Sequence, residues 1–513
     1  MRPPGREWTP ARAAAVALFA VVVLLFLLAG VRGRYNGLLA DSYVYLAAAE
    51  QFGRLWSADT GLLRHSFAAY PFPPLFPLLL GLAGGGLDNP PWTFGVCALV
   101  LAAAVVLFLR WLCAVGVPPA IAVATALGFA LLPVSLRTAM GVLSEPPFMA
   151  LLLGAALLLA SRRPSATQWY VAALLVGLSP LVRTVGVIGV AAFVACWTLR
   201  GAWRFSPWDA AVALLPALAW RGLKALLALD GYPLAQVFER DVPAQLVANL
   251  RALAHHGLRA VDALGREPSA WLLAAVAVVA ATALVRRALR AEFDALLVLG
   301  YLPVLLLWPY PDHAARLLYV VMPFVLGHAV LGTMAVGRRL AGPRAAWTGG
   351  VLPALLFVML LPGSGALLRD LWTHRAGDEA LLPRAPASHV AGRGALRAAR
   401  FEARLDAFMQ RHLREVPPAA CVASIVPQRV LLYGARRGVD LANVVARGGS
   451  LDAALADCPY VLMVAALPFP RVPGIDGMYP FRQVSARMEV IAFERDVEDD
   501  PQSPLVVMLA RVR

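Results

Sequence analysis

An aspartate and a tyrosine that are suited to one polar site occur four residues apart in the segment Asp41-Ser-Tyr-Val-Tyr45. Side chains at this spacing lie on the same face of a helix, so the carboxylate and the phenol would point at the same region. Such a pair is a candidate for binding and for acid–base chemistry. The alternative is structural, because aspartate also favours helix starts, where the dipole stabilises its charge. Spacing alone leaves both interpretations open.

A second acid, Glu145, lies between Ser144 and a Pro-Pro pair. A well-formed helix start explains this segment without any chemistry. Ser144 would cap the helix, Glu145 would lie in its positive first turn, and proline is tolerated there. A helix start does not explain why two acids and several cations would gather at one level of the molecule.

The candidate cations at that level are Arg64, His65, Arg137, Arg183 and Arg316. Arg183 is flanked by apolar residues on both sides, where an arginine either extends to water or binds an anionic group such as a phosphate. Ionisable groups near hydrocarbon are costly and are functional candidates by default. The neighbouring pair Asp312 and His313 is more typical of solvated side chains than of a metal site.

The elements that position these residues are predicted to be membrane helices. The chain has 513 residues, of which 60% are hydrophobic and only 15% charged, whereas soluble proteins have about a quarter charged residues. Apolar runs long enough to cross a bilayer recur along the first 365 positions, which predicts an all-α polytopic membrane domain. The eleven predicted spans are 13–31, 92–114, 119–136, 147–161, 168–182, 184–200, 209–228, 270–286, 295–309, 315–336 and 347–365.

The positive-inside rule places the N-terminus in the cytoplasm, because most arginine clusters in short connections fall on its side. These clusters contain Arg110, Arg162, Arg163, Arg200, Arg204, Arg286, Arg287, Arg290, Arg338, Arg339 and Arg344. Arg32, Arg34 and four arginines in the loop 229–269 are contrary, but long translocated loops obey the rule weakly. The net charge of +15 therefore indicates orientation and anionic lipid headgroups, and it does not indicate nucleic acid.

Two large segments are then external: 32–91, with a helix from Asp41 to about Leu55 and an interfacial helix over 73–83, and the tail after Arg369. Predicted strands at Cys421–Val426, Val430–Tyr433, Tyr460–Val464 and Leu505–Leu509 make that tail a small extracytoplasmic α/β domain. The predicted division is 1–365 and 366–513. Cys421 and Cys458 in the tail have even odds of pairing. Cys97, Cys113 and Cys196 lie in apolar spans and are expected to be small core residues.

Several weak motifs occur together in an order typical of one group of enzymes. They are Asp41-Ser-Tyr-Val-Tyr45, Tyr70-Pro-Phe-Pro-Pro-Leu-Phe76, Ser144-Glu145-Pro-Pro-Phe, Leu-Val-Arg183-Thr-Val-Gly, and Arg316 followed by Pro323. To about residue 340, the chain resembles the glycosyltransferase C superfamily. The similarity is greatest to the polyprenyl-phosphate-sugar-dependent branch of protein O-mannosyltransferases and lipid A aminoarabinose transferases.

The resemblance implies a multi-pass enzyme of the bacterial inner membrane that uses a polyprenyl-phosphate sugar as donor. Asp41 would be the catalytic base, and Glu145 would orient donor or acceptor. Arg183 and Arg316 would face the donor phosphate. Phe72 stands where relatives often have His or Lys, so Arg64 and His65 are substitutes for that phosphate contact. Asp41 is not part of an Asp-x-Asp motif, so a divalent cation stays open as a cofactor without being indicated.

The predicted function is transfer of a sugar, with inversion, to an external lipid, polysaccharide or protein acceptor. The main alternative is a transporter or flippase of lipid-linked sugars, which would also gather charge in a membrane cavity. Many transporters have internal repeats and broken helices, and neither is clear in this sequence. A third interpretation makes the tail a binding module on an inactive scaffold.

Overall fold

The structure is a computed structural model, and it describes residues 10–37, 40–53, 72–86, 90–161, 163–204, 206–226, 241–261, 266–308, 314–342, 350–373, 404–441, 444, 451–465, 487–496 and 505–513. The described part of the chain is mainly helical up to residue 373. Its helices there are α1 (Pro10–Gly37), α2 (Ala40–Gly53), α3 (Leu75–Leu82), α4 (Pro90–Ala114), α5 (Pro119–Ala130), α6 (Pro133–Ala139), α7 (Glu145–Leu159), α8 (Ala166–Val182), α9 (Val187–Leu199), α10 (Asp209–Leu226), α11 (Val242–Val261), α12 (Arg266–Ala288), α13 (Phe293–Leu307), α14 (Ala314–Ala341) and α15 (Val351–Thr373).

The described residues of each predicted span are almost all helical. In the described part of the chain, three helical segments are long and apolar enough by themselves to cross a membrane: Pro91–Ala114, Ala270–Ala288 and Arg316–Leu340. Five further apolar helices in the same part of the chain are shorter than 18 residues. The number of eleven spans therefore stays a prediction. One large core of buried side chains joins these helices, and its fully buried Trp111 packs edge-on against Phe324 with ring centroids 5.2 Å apart.

The predicted span 119–136 is divided into α5 and α6, which meet at a bend of 59°. Pro133 occupies the start of α6 and lacks the N–H that a continuous helix would need at this position. The two helices predicted within 32–91 are present as α2 and α3, and their external location stays a prediction. The predicted domain boundary at residue 365 falls inside α15, which continues to Thr373, and the division into two domains is still a prediction.

The tail forms a five-stranded sheet with helices. Its strands are β1 (Cys421–Ser424), β2 (Arg437–Asp440), β3 (Tyr460–Ala465), β4 (Met488–Asp496) and β5 (Leu505–Val512), and its helices are α16 (404–412), α17 (Pro427–Gly434) and α18 (Leu451–Asp457). The strand order is β2-β1-β3-β5-β4, with β1 parallel to β2 and β3, and β5 antiparallel to β3 and β4. A mixed sheet with helices is the α/β architecture predicted from sequence.

The predicted strand at Val430–Tyr433 is wrong, because these residues belong to helix α17. Pro427 begins this helix, a position that proline favours. The helix connects the parallel strands β1 and β2, which need a crossover rather than a tight turn. Seven of its eight residues are buried, so the short apolar run Val430–Tyr433 resembles a buried strand when it is read by itself.

The structure answers the open question of a disulfide, agrees with two of the three core assignments and contradicts the third. Cys421 in β1 and Cys458 before β3 form a disulfide, with Cα atoms 4.6 Å apart. Cys97 and Cys196 are buried, as expected of core residues. Cys113 is exposed, so its assignment to the core is wrong; it lies in the last turn of α4, where its neighbours Trp111 and Leu112 take the buried positions.

Candidate functional site

Four charged side chains that are far apart in the sequence meet at one end of the helical part. They are Asp41 at the start of α2, Glu145 at the start of α7, Arg183 just after α8, and Arg316 near the start of α14. We call these residues the charge cluster. Two acids and two of the predicted cations therefore occupy one site, at the ends of four different helices.

Arg316 joins the two acids. Its Nη1 lies 2.7 Å from Asp41 Oδ2, and its Nε donates a hydrogen bond to Glu145 Oε1. Arg183 Nη1 lies 2.8 Å from the same Glu145 oxygen. The guanidinium fork of arginine suits such bridging, because its donors point in fixed directions. Glu145 thus holds both arginines, and Arg316 holds both carboxylates.

A pair of hydroxyl groups extends the charge cluster. Arg183 Nη1 donates to Ser144 Oγ over 2.9 Å, and Ser144 Oγ is 2.8 Å from the Tyr45 hydroxyl. The ring of Tyr45 packs edge-on against Phe76 of α3, with centroids 5.2 Å apart. Tyr45 is buried outside the predicted spans, and this burial raises the pKa of its phenol. The phenol is therefore a neutral hydrogen-bonding group at physiological pH.

Two structural alternatives raised by the sequence do not hold as stated. Ser144 is the N-cap residue of α7, but its side chain makes no capping hydrogen bond and instead connects Tyr45 with Arg183. Asp41 lies within the first turn of α2, which begins at Ala40, so it is not the residue that precedes the helix. Its charge still suits that turn, and it is also paired with Arg316.

A close backbone approach fixes the position of Arg183. The residue has an extended backbone and is followed by the 3-10 turn Thr184–Gly186. A Cβ atom on Gly186 would lie 2.4 Å from the backbone nitrogen of Pro180 and 2.6 Å from the carbonyl oxygen of Ser179. Only glycine lets the chain return so closely to α8, so the turn that presents Arg183 depends on this residue.

Exposure distinguishes the two acids. The side chain of Glu145 is 1% exposed, whereas that of Asp41 is 31% exposed. Two carboxylates and two guanidinium groups give the charge cluster a formal charge of zero, and a buried carboxylate needs this compensation. Glu145 Oε2 is buried and has no hydrogen-bond partner in the described part of the chain. Asp41 is therefore the acid that a molecule outside the protein can reach most easily.

The remaining predicted site residues do not join the charge cluster. Arg137 is exposed in the last turn of α6 and forms no ion pair with any residue the structure describes. Arg64 and His65 lie outside the described residues. Within the described ranges, no group of three or more His, Cys, Asp or Glu side chains is arranged to hold a metal ion.

A second buried ion pair was not predicted. Arg287 is one of the arginines that indicate orientation, and its Nη2 lies 2.7 Å from Asp294 Oδ1 while its Nε lies 2.8 Å from Asp294 Oδ2. His328 Nε2 of α14 lies 3.4 Å from Asp294 Oδ2. The pair joins the end of α12 to the start of α13. It had no sequence signal beyond an arginine followed seven residues later by an aspartate.

Comparison with solved structures identifies the fold, whereas neither the family models nor the curated proteins give a match. The crystal structure of ArnT from Cupriavidus metallidurans bound to undecaprenyl phosphate is 13% identical, with a TM-score of 0.54, covering 96% of this chain and 97% of that one. The apo structure of the same protein gives the same identity and TM-score, with 97% and 98% covered. This chain therefore shares the fold of ArnT over almost its whole length, including the C-terminal α/β part.

Proposed function

We propose that this protein is a bacterial inner-membrane glycosyltransferase that moves a sugar from a polyprenyl-phosphate donor to an acceptor outside the cytoplasm. The observation that carries the proposal is the charge cluster, in which a partly exposed aspartate and two arginines meet at the ends of apolar helices. The shared fold supports it, because ArnT has been crystallised with undecaprenyl phosphate. The eleven spans and the cytoplasmic N-terminus belong to the same proposal.

In this reaction Asp41 is the general base. It accepts the proton of the acceptor hydroxyl while the acceptor oxygen forms a bond to the anomeric carbon of the donor sugar. The bond between that carbon and the phosphate oxygen breaks, and the polyprenyl phosphate leaves with the electron pair. Phosphate is a good leaving group, so no strong acid is needed at the departing oxygen. Direct displacement inverts the anomeric centre.

Arg316 couples the two charge changes of this step. Before the reaction its positive charge is shared between Asp41 and Glu145. When Asp41 takes up the proton it becomes neutral. The positive charge of Arg316 is then available to stabilise the phosphate, which gains a negative charge as it leaves. The total charge of site and substrates does not change. Preorganised groups of this kind stabilise developing charge in the transition state.

Glu145 serves mainly to hold the arginines. It is almost fully buried and contacts both guanidinium groups, so it fixes Arg183 and Arg316 near the phosphate. Its second oxygen, Oε2, is buried, so Glu145 orients the donor or acceptor through the two arginines that it holds. Arg183 provides the second cation for the phosphate, and Tyr45 and Ser144 support it from the other side.

The disulfide supports an extracytoplasmic tail. Disulfides persist in oxidising compartments such as the periplasm and are rare in the cytosol. The bond between Cys421 and Cys458 lies in the same part of the molecule that packs against α2, the helix that carries Asp41. The site and the tail are therefore expected on the same side of the membrane.

Mass spectrometry of cell-envelope glycans and glycolipids, with and without the gene for this protein, tests the proposal and identifies the sugar and the acceptor. Purified enzyme should then release free polyprenyl phosphate in proportion to glycosylated acceptor. Asp41→Asn should lower that rate by about 10²–10⁴-fold, the usual contribution of a general base. The matched control is Asp457→Asn, which changes an exposed aspartate of the tail. Full activity in a folded Asp41→Asn variant would remove Asp41 as the base.

A flippase for lipid-linked sugars is the competing function. The bend between α5 and α6 favours it, because transporters often use broken helices at their substrate sites. Product analysis separates the two. A flippase moves the intact lipid-linked sugar across the membrane, whereas the proposed enzyme releases free polyprenyl phosphate.

A further inference from the structure

Helix α2 lies between the charge cluster and the tail domain. Asp41 and Tyr45 face the charge cluster. Tyr43 lies two positions from each of them, which is about 200° around the helix axis. The opposite face of α2 therefore packs against something other than the charge cluster, and that neighbour is helix α17 of the tail.

The contact is built from three buried polar side chains, which we call the docking cluster. The Tyr43 hydroxyl donates to Asp406 Oδ2 over 3.2 Å, and Arg429 Nη1 lies 3.0 Å from Asp406 Oδ1. The guanidinium carbon of Arg429 lies 3.9 Å from the centre of the Tyr43 ring. All three residues are at least nine-tenths buried. Each member thus contacts both others, and Asp406 uses both of its oxygens.

Apolar packing surrounds the docking cluster. Leu431 and Leu432 of α17 belong to the same core as Tyr43 and the helices of the first 373 residues, whereas Val430 belongs to the core of the tail. Tyr433 packs against both cores. Burial, and then the nearby Asp406 carboxylate, raise the pKa of Tyr433, so this phenol stays neutral. Helix α17 is therefore shared by the two halves of the molecule.

Joining two surfaces through the docking cluster costs free energy, because its charged groups are buried. A buried carboxylate and a buried guanidinium lose their hydration, so the pair gains little stability over apolar side chains of the same size. What such a network gives is a defined geometry, because its hydrogen bonds are satisfied in one arrangement only. Leucine side chains would hold the two surfaces together without this desolvation cost, but they would not fix one geometry.

We propose that Tyr43, Asp406 and Arg429 are positioning residues through which the tail domain sets the placement of α2, and with it the distance between Asp41 and Arg316. This inference rests on the proposed function, in which Asp41 must reach the acceptor hydroxyl. The tail thereby becomes part of the active enzyme although none of its described residues touches the charge cluster. A displacement of about 1 Å at a reacting group is enough to cost about a hundredfold in rate.

The test combines kinetics with hydrogen–deuterium exchange on the full-length protein in nanodiscs. Tyr43→Phe removes one hydrogen bond and keeps the ring under Arg429, and Asp406→Asn keeps the shape of the side chain while removing its charge. We expect about a tenfold fall in kcat for each, with the KM for the donor unchanged, because Asp41 acts in the transition state. Backbone amides of 40–53 should exchange about tenfold faster, while those of α7 and α8 should not change.

The matched control is Arg411→Ala, which breaks an exposed ion pair with Glu494 within the tail and does not touch α2. It should leave both kcat and exchange of 40–53 unchanged. Unaltered exchange in Asp406→Asn would overturn the inference, and so would faster exchange accompanied by an unchanged kcat. An inactive wild-type protein would refute the proposed function instead, and the exchange data would still show whether the docking cluster holds α2.

Discussion

Replacing Arg316 with lysine is the most incisive test of the charge cluster. Arg316 uses two different nitrogen atoms for two different acids, Nη1 for Asp41 and Nε for Glu145. Lysine keeps the positive charge but carries it on one ammonium group at the end of a flexible chain. It can contact either carboxylate, but it cannot reproduce both contacts in the same geometry. Arg316→Lys therefore removes one charge-assisted hydrogen bond and leaves the net charge intact.

The magnitude follows from the contact that is lost. A hydrogen bond to a charged group contributes about 1.5–3 kcal/mol, and each 1.4 kcal/mol is about tenfold in rate. We expect kcat/KM for sugar transfer to fall by roughly ten- to a hundredfold. Arg316→Met should cost more, because it leaves the buried Glu145 and Asp41 with Arg183 as the sole compensating cation of the charge cluster. Removing one partner of a buried ion pair typically costs about 3–5 kcal/mol.

The assay is release of polyprenyl phosphate by purified enzyme, with thermal unfolding measured on the same samples. The control is Arg339→Lys, which makes the same exchange on the same helix at an exposed position. Arg339→Lys should keep wild-type kinetics. If Arg316→Lys keeps kcat/KM within twofold of the wild type, bridging by the guanidinium fork is not required, and the proposed coupling between Asp41 and the phosphate is wrong.

Three further outcomes follow from contacts away from Arg316. Tyr45→Phe removes the hydrogen bond to Ser144 and should cost about 1 kcal/mol of stability, but it should leave the pH profile unchanged near neutrality, because burial raises the pKa of this phenol above its ordinary value of 10.0. Arg287→Met leaves Asp294 buried without its cation and should lower the free energy of unfolding by about 3–5 kcal/mol, while kcat of the folded fraction stays at the wild-type value. Cys421→Ser opens a loop of 37 residues and should destabilise the tail by about 4 kcal/mol in a denaturant titration, an effect that reducing agent should reproduce in the wild type.

Helices in the first part of the chain were predictable, because an apolar run of bilayer length has few other stable structures. The sequence predicted only part of the charge cluster. It placed Asp41, Glu145, Arg183 and Arg316 at one level of the molecule, but it did not predict their contacts. Only the structure shows which arginine contacts which carboxylate. That pairing depends on how the helices are arranged around one another, and periodicity within a single helix contains no information about it.

The errors have a common physical cause. Val430–Tyr433 was assigned to a strand from its apolar side chains, but a helix buried on more than one side has the same local pattern. Ser144 was assigned to a cap from its place before Glu145, but a partner distant in sequence, Tyr45, binds its hydroxyl instead. The docking of Tyr43 on Asp406 joins residues 363 positions apart, and no local signal predicts such a contact.

That separation has a consequence for how the protein is made. Synthesis proceeds from the N-terminus, so α2 leaves the ribosome long before Asp406 and Arg429 exist. The acceptor of the Tyr43 hydroxyl, Asp406, is translated 363 residues after Tyr43. The first helix of the site therefore packs against residues that are translated much later. A polypeptide that ends before residue 404 would contain all four members of the charge cluster and would still lack Asp406 and Arg429, the two partners of Tyr43 in the docking cluster.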